Sequence, residues 1–495
     1  MNIDVCPPPT TPNTELTRAI VGQVTIDTLP DDVLLYVFDF YLNQASEIEA
    51  WHTLVHVCRQ WRILVFGSPC RLNLRIKCSY KTQAVKEKLD VWPALPVVVS
   101  GAYYEKPSPD NLPAALEHRN RICQIKLYLK ELNVINIASL EEPFPILTDL
   151  DLGTLEFFQP FDPNPSKFLG GPGSAHLLRS LTLRDFTIPH ILKLLLATPN
   201  LVTLRLNRIR KSFLTDEMVT VLSSLTRLEI LDLNIDVKFD RFHPDRENQR
   251  LPLPRRTALP SLTTLKVTGY IEFLEDFMAR INTPLLDHLN IVFSHYPFYR
   301  DRDRITVLDT PQLLRFISRT PKLQAPVGAH IGFNADNTCI FSLHSTQISH
   351  HVIRLKIAGV EPKQQIPFVA QFYRSLPFLL HPLEYLYICG GPRHRRQGNF
   401  MENARWLELL QPFAAVKNLY LTKEFVPDIA HALQDLVGER VMEVLPTLNN
   451  FFIDKFKPSG PVQQVLKEFI AARQLAGHPI TISRWDYRHR KCSSL

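Results

Sequence analysis

Apolar positions along most of this chain follow one recurring arrangement: apolar, two variable residues, apolar, one variable residue, apolar. It opens with Ile122-Cys-Gln-Ile-Lys-Leu127 and Leu147-Thr-Asp-Leu-Asp-Leu152, and continues from Leu178, Leu201, Leu228, Leu262 and Leu286. After a gap it resumes at Val352, Leu383, Val416 and Leu448. Successive starts lie 23 to 34 residues apart, except for one interval of 66 that spans about two units, so a degenerate repeat is expected near 329–333. The alternation that closes each unit has the period of a strand with one buried face. A proline often precedes it, as in Thr198-Pro199-Asn200-Leu201, Leu259-Pro260-Ser261-Leu262 and Thr283-Pro284-Leu285-Leu286. Proline stops a helix and biases the residue before it toward extended geometry, which suits a helix-to-strand corner. Amphipathic stretches such as 188–198 and 427–437 supply the helices. A strand plus a helix in every unit predicts an α/β solenoid with a curved parallel sheet.

The segment 29–64 has a different period. Pro30 suits the first turn of a helix, and Asp31 and Asp32 place negative charge at the positive end of its dipole. Val33, Leu34, Val37, Phe38 and Tyr41 follow at three- and four-residue spacing, and Trp51, Leu54, Val55, Cys58 and Trp61 form a second stripe. Three helices of this size hold too little apolar surface for a core of their own, since domains below about 40 residues usually need support. An ordinary helical cap on a larger fold shows the same stripes.

Leu29-Pro30-Asp31-Asp32-Val33-Leu34, followed by Val57-Cys58-Arg59-Gln60-Trp61-Arg62, resembles an F-box: a Leu-Pro-acidic opening and a Val-Cys-basic-x-Trp-basic close. The resemblance implies a module that binds the Skp-family adaptor of a Skp–cullin–F-box ubiquitin ligase, and through it a cullin. By position it implies adaptor contacts at Leu29, Pro30, Val33, Leu34, Val37, Val57, Cys58, Trp61 and Leu64. The downstream array is similar to leucine-rich repeats, in the irregular form seen behind F-boxes in fungal proteins. The slot after the strand, where such repeats carry asparagine, holds Leu155, Phe186 and Ile209. The expected layout is a flexible tail over 1–22, the F-box over 23–75, the solenoid over 76–484 and a basic tail over 485–495.

Composition narrows the function classes. The first 17 residues lack the basic and apolar regions of a secretory signal, and no apolar run approaches the roughly 18 residues of a membrane helix. The eight cysteines are scattered without metal-ligand spacing, so reduced thiols and a cytoplasmic or nuclear setting are expected. The +7 net charge is modest for 495 residues and implies no obligatory nucleic-acid partner. No phosphate-cradling glycine loop, nucleophile elbow or zinc-protease motif is present, and His344, His350 and His351 have no ligand-spaced cysteine or carboxylate beside them. The expectation is a non-enzymatic protein with no cofactor or metal. It would be a substrate receptor of the ligase or, alternatively, an interaction scaffold with no ligase role.

Repeat leucines stabilise a solenoid; binding falls to the alternate strand positions, which face solvent on the concave side. The residue between the last two apolar positions is Lys126, Asp151, Thr182, Arg205, Asp232, Lys266, Asn290, Lys356, Tyr387, Tyr420 and Phe452 in order. The last three are aromatic, and strands about 4.8 Å apart would place them in a ladder with Tyr385 alongside. Tyr385, Tyr387, Tyr420, Phe452 and Lys356 are therefore candidates for contact with an unidentified protein substrate. Two other readings apply to the ladder: the segment 482–491 could fold over it as a cap, or the register could be shifted. The charged runs Pro392-Arg-His-Arg-Arg-Gln397 and Tyr299-Arg-Asp-Arg-Asp-Arg304 read as solvated loops, with arginine forks that could also meet phosphate.

Overall fold

The computed structural model describes residues 26–44, 50–67, 74–78, 84–92, 94–101, 108, 110–129, 140–154, 159–160, 164, 166–171, 174–187, 190–210, 215–236, 256–293, 310–334, 338–345, 351–358, 362–390, 402–436, 438, 440–454 and 461–485. Three helices, α1 (Asp31–Gln44), α2 (Ala50–Val55) and α3 (Arg59–Gly67), precede a mixed α/β body built on one large, mostly parallel sheet. Its sixteen main strands begin with β1 (Leu74–Lys77), β2 (Val97–Gly101), β3 (Ile122–Leu129), β4 (Asp149–Thr154) and β5 (Ser180–Arg184). They continue with β6 (Thr203–Arg210), β7 (Ile230–Asp236), β8 (Thr264–Gly269) and β9 (His288–Phe293). Up to this point each strand pairs in parallel with the one before it, in the register the repeat predicts: Lys126, Asp151, Thr182, Arg205, Asp232, Lys266 and Asn290 stand in one row. The arrangement is consistent with a leucine-rich-repeat-like solenoid.

Helices such as Ile191–Leu196, Thr215–Ser224 and Ile271–Arg280 bury their apolar stripes on one side of this sheet. The strand leucines fill the space between the two layers, with Leu181, Leu204, Leu231 and Leu265 each fully buried. At about 25 cal/mol per Å² of apolar surface removed from water, these stacked leucines are the main source of stability. The asparagine slot is filled by the same means, because Phe186 and Ile209 are buried there; Leu155 lies outside the described residues.

The 66-residue interval does hold a further strand, but not a simple extra repeat. β10 (Gly328–Phe333) turns back through β11 (Cys339–His344) into β12 (His351–Ile357), and β11 is antiparallel to both. β12, not β10, takes the place beside β9, so the spatial order there runs β9, β12, β11, β10. Parallel pairing then resumes through β13 (Tyr385–Gly390), β14 (Asn418–Leu421), β15 (Asn450–Asp454) and β16 (Thr481–Trp485). The row is shifted by two residues here: Asn290 pairs with Arg354, so Arg354 continues the row, and Lys356 lies one row further along the same face, opposite Val292 and Ile340.

Polar ties join successive repeats at their corners. Arg121 donates to the carbonyl of Leu95, Arg319 to those of Met278 and Ile281, and the fully buried Arg473 to those of Pro446 and Leu448. The Arg319 guanidinium satisfies carbonyls at the end of the Ile271–Arg280 helix, and Arg121 and Arg473 satisfy carbonyls in the turns that lead into the next strand. The Glu275 carboxylate does the converse, accepting the Gln312 and Leu313 amides at the start of the next helix at 2.7 and 2.9 Å.

Candidate interaction surfaces

In the N-terminal helices the predicted stripe divides. Leu34 and Phe38 face inward and pack with Leu54, Val55, Trp61 and Val65, and the Phe38 and Trp61 rings lie 4.7 Å apart. These side chains belong to the same continuous apolar core as the strands. Val33, Val37 and Tyr41, from the same stripe, face solvent, as do Tyr36, Phe40, Val57, Ile63 and Phe66. Of the candidate adaptor contacts, Pro30, Val33, Val37 and Val57 are exposed, Leu29, Cys58 and Leu64 are half-buried, and Leu34 and Trp61 are inside. Gln60 on α3 donates to Asp31 on α1 at 3.3 Å, and Arg62 donates to the Val55 carbonyl at 3.0 Å, which fixes how the helices present this face. Thirteen large apolar side chains are exposed among the described residues, and nine of them lie between Ile26 and Phe66.

At the other end the predicted ladder is present. Tyr387 stacks on Tyr420 at 4.3 Å and Tyr420 on Phe452 at 4.4 Å, with ring planes 17° and 7° apart. Trp485 starts from the next strand, opposite Asp454, and leans back over the ladder, its ring 5.3 Å from Tyr420 and 6.0 Å from Tyr387. Tyr387 and Tyr420 are consequently buried, and Tyr385 and Phe452 are partly buried against them. The capping alternative thus describes the covering as far as Trp485, which is the last residue of β16; 486–491 lie outside the described residues.

Beside the ladder, His330 pairs in register with Tyr387 and is 95% removed from solvent, at 5% exposure. Burial, reinforced by His351 and Arg354, pushes its imidazole down to about 4. Burial likewise takes His344 down to about 3, with help from His351 and His330. The His344 and His351 rings lie 4.6 Å apart, and neither His344 ring nitrogen has a hydrogen-bond partner among the described residues. His350 lies outside those residues, and among them no group of three histidine, cysteine or carboxylate side chains could hold a metal ion.

The middle strands carry ion pairs that run from strand to strand on the side away from the helices. Arg184 meets Asp151 at 3.3 Å, and Lys266 meets Asp232 at 3.0 Å. Arg208 grips Asp185 through two nitrogens, at 2.7 Å each. Burial lifts the Asp185 carboxyl above its ordinary value, against the opposing pull of Arg208 and Arg184. Sequence patterning did not single out Asp185 or Arg208; their signal was only a charged residue at a strand end. The runs 299–304 and 392–397 lie outside the described residues.

No family model matches this chain, and no curated protein matches it. Among solved structures it is similar to the leucine-rich repeat-containing protein LegL7 from Legionella pneumophila, at 11% identity and a TM-score of 0.26 over 80% of this chain and 97% of that one. No helix among the described residues is long and apolar enough to cross a membrane.

Proposed function

We propose that this chain is a non-enzymatic substrate receptor of a Skp–cullin–F-box ubiquitin ligase, acting in the cytoplasm or nucleus. In this reading α1 to α3 dock on a Skp-type adaptor, and the repeat body carries the substrate. The observation that supports it is the crowding of exposed apolar side chains onto three short helices whose opposite side is firmly anchored. Terminal caps of solenoids need a polar outer face, whereas contiguous exposed apolar patches mark interaction sites. Tyr36, Val37 and Phe40 on α1, Val57 on the turn before α3, and Ile63 and Phe66 on α3 are all exposed.

A second reading, a repeat scaffold with no ligase role, draws on one observation. Leu34, Phe38 and Trp61 join the solenoid core without a break, as a simple N-terminal cap would. Co-purification of the full chain with a purified Skp-type adaptor separates the two. Under the receptor reading the wild-type chain retains the adaptor, and Val37→Glu, or Leu29→Ala combined with Pro30→Ala, releases it. No retention by the wild type, or equal retention by Val37→Glu, sinks the ligase reading.

A further inference from the structure

We propose that the hollow at the ends of the middle strands β5 to β8 binds an oxyanion, the carboxylate or phosphate of an acidic segment in a partner protein. The idea rests on the receptor reading and specifies the chemistry of what that receptor would select. The hollow encloses about 460 Å³, and every side chain that lines it is polar or charged. Small-molecule pockets rely on apolar and aromatic walls, which are missing here, so the shape and chemistry suit a hydrated, charged chain segment.

Four cations face it: Arg184, Arg205, Arg208 and Lys266. Three are held in place by carboxylates, namely Arg184 by Asp151, Arg208 by Asp185 and Lys266 by Asp232. Arg205 is left over. It has no ion-pair or hydrogen-bond partner among the described residues, although it stands directly opposite Asp232 in the strand register. It also forms part of the wall of an adjoining hollow of about 950 Å³, which adds the exposed Arg179 and Arg227 and is balanced by Asp149 and Glu229. Arg205 is therefore the uncommitted charge where the two hollows meet. Its flanking cations are already oriented, so an incoming oxyanion meets donors whose ordering is complete before binding.

The backbone supplies a second observation. Asp185 (φ 65°) and Arg208 (φ 52°) both adopt the left-handed conformation that side-chain-bearing residues avoid, and they are bonded to each other at the rim of this hollow. Such residues are strained, persist only where surrounding structure imposes them, and cluster at ligand clamps. The Asp185 amide is tied to the Asn207 carbonyl at 2.9 Å, so this turn is fixed across two strands.

The test uses the full chain and three labelled synthetic peptides of one length: a glutamate-rich peptide, its phosphoserine counterpart and a neutral glutamine version, with binding read by fluorescence anisotropy. At least one anionic peptide should bind about tenfold or more tighter than the neutral one, and Arg205→Glu should remove that preference. Tighter binding of the phosphoserine peptide assigns the oxyanion to phosphate, and equal binding of the two assigns it to carboxylate. Lys322→Glu makes the same two-unit change of charge at an exposed position elsewhere and should leave binding unchanged. Arg205→Gln serves if the charge reversal lowers the melting temperature. Equal binding of all three peptides, an unaffected Arg205 variant, or equal loss in the lysine control each overturns the proposal. Adaptor co-purification of the same variants reads the N-terminal helices alone, so failure of the receptor reading is seen separately.

Discussion

On α1 to α3 the side chains of Tyr36, Val37, Phe40 and Ile63 stand in solvent, while at the C-terminal end Tyr387, Tyr420 and Phe452 are stacked and closed over by Trp485. Both regions concentrate large apolar residues near an end of the chain, and by composition alone either could be a docking surface. They differ in what has already covered them. The C-terminal end spends its aromatics on its own closure, as a terminal repeat must. The N-terminal end anchors one side of its helices and leaves the other open. A partner surface is better sought where apolar area remains exposed than where aromatic residues are most numerous.

Acid should break this comparison most strongly. His330 and His344 have folded values depressed below the unfolded one, so both are neutral in the fold, and the unfolded chain takes up protons first as pH falls. Their stability is intact above about pH 6.5 and is lost progressively below it, by about 1.4 kcal/mol per pH unit for each imidazole until its folded value is reached. Hydrogen exchange between pH 7 and 5 should show β10, β11 and β13 losing protection while α1 and α3 keep theirs. His330→Asn with His344→Asn should flatten the slope, and an unchanged slope would remove the histidines from the account.

Trp485→Ala comes next. Deleting a buried tryptophan costs about 3 kcal/mol, read as a lower denaturant midpoint, and should open Tyr387 and Tyr420 to solvent. If stability and tyrosine accessibility both stay as they are, Trp485 is not the cap. The smallest effect is expected from Tyr36→Ala with Phe40→Ala, which should leave stability within about 0.5 kcal/mol because both side chains are exposed. The same pair should weaken adaptor retention. A large stability loss there would mean the helical face packs against the body.

Much of the sheet was legible because a leucine at a fixed spacing can satisfy only one face of a strand, and Leu181, Leu204 and Leu231 do so in the expected register. The inversion at β10 to β12 was not. Val352-Ile-Arg-Leu-Lys-Ile357 matches the full repeat pattern only with Val352 first, whereas the sheet places it two residues away, with polar His350 in the first apolar slot; both registers keep Leu355 inside. Pairing with β9 decides between them, and that is information from another strand. The stripe on α1 was legible as a helix, but its division into Leu34 and Phe38 inside and Val33 and Val37 outside depends on where α3 lies. Asp185 and Arg208 were invisible for a related reason, since left-handed backbone at a non-glycine residue has no sequence signature beyond tolerance.

The arginines at the repeat corners bear on how the molecule comes apart. Repeat arrays open at whichever junction is weakest, and apolar stacking alone makes junctions alike. Arg121, Arg319 and Arg473 fasten particular corners to the one before, each through backbone carbonyls rather than a replaceable side chain. Fraying from the C-terminus should therefore halt at the corner bound by Arg473, and then again at Arg319, dividing the array into segments that yield in steps. A chain pulled from its end would register those steps as separate force peaks, and Arg473→Met should erase the first.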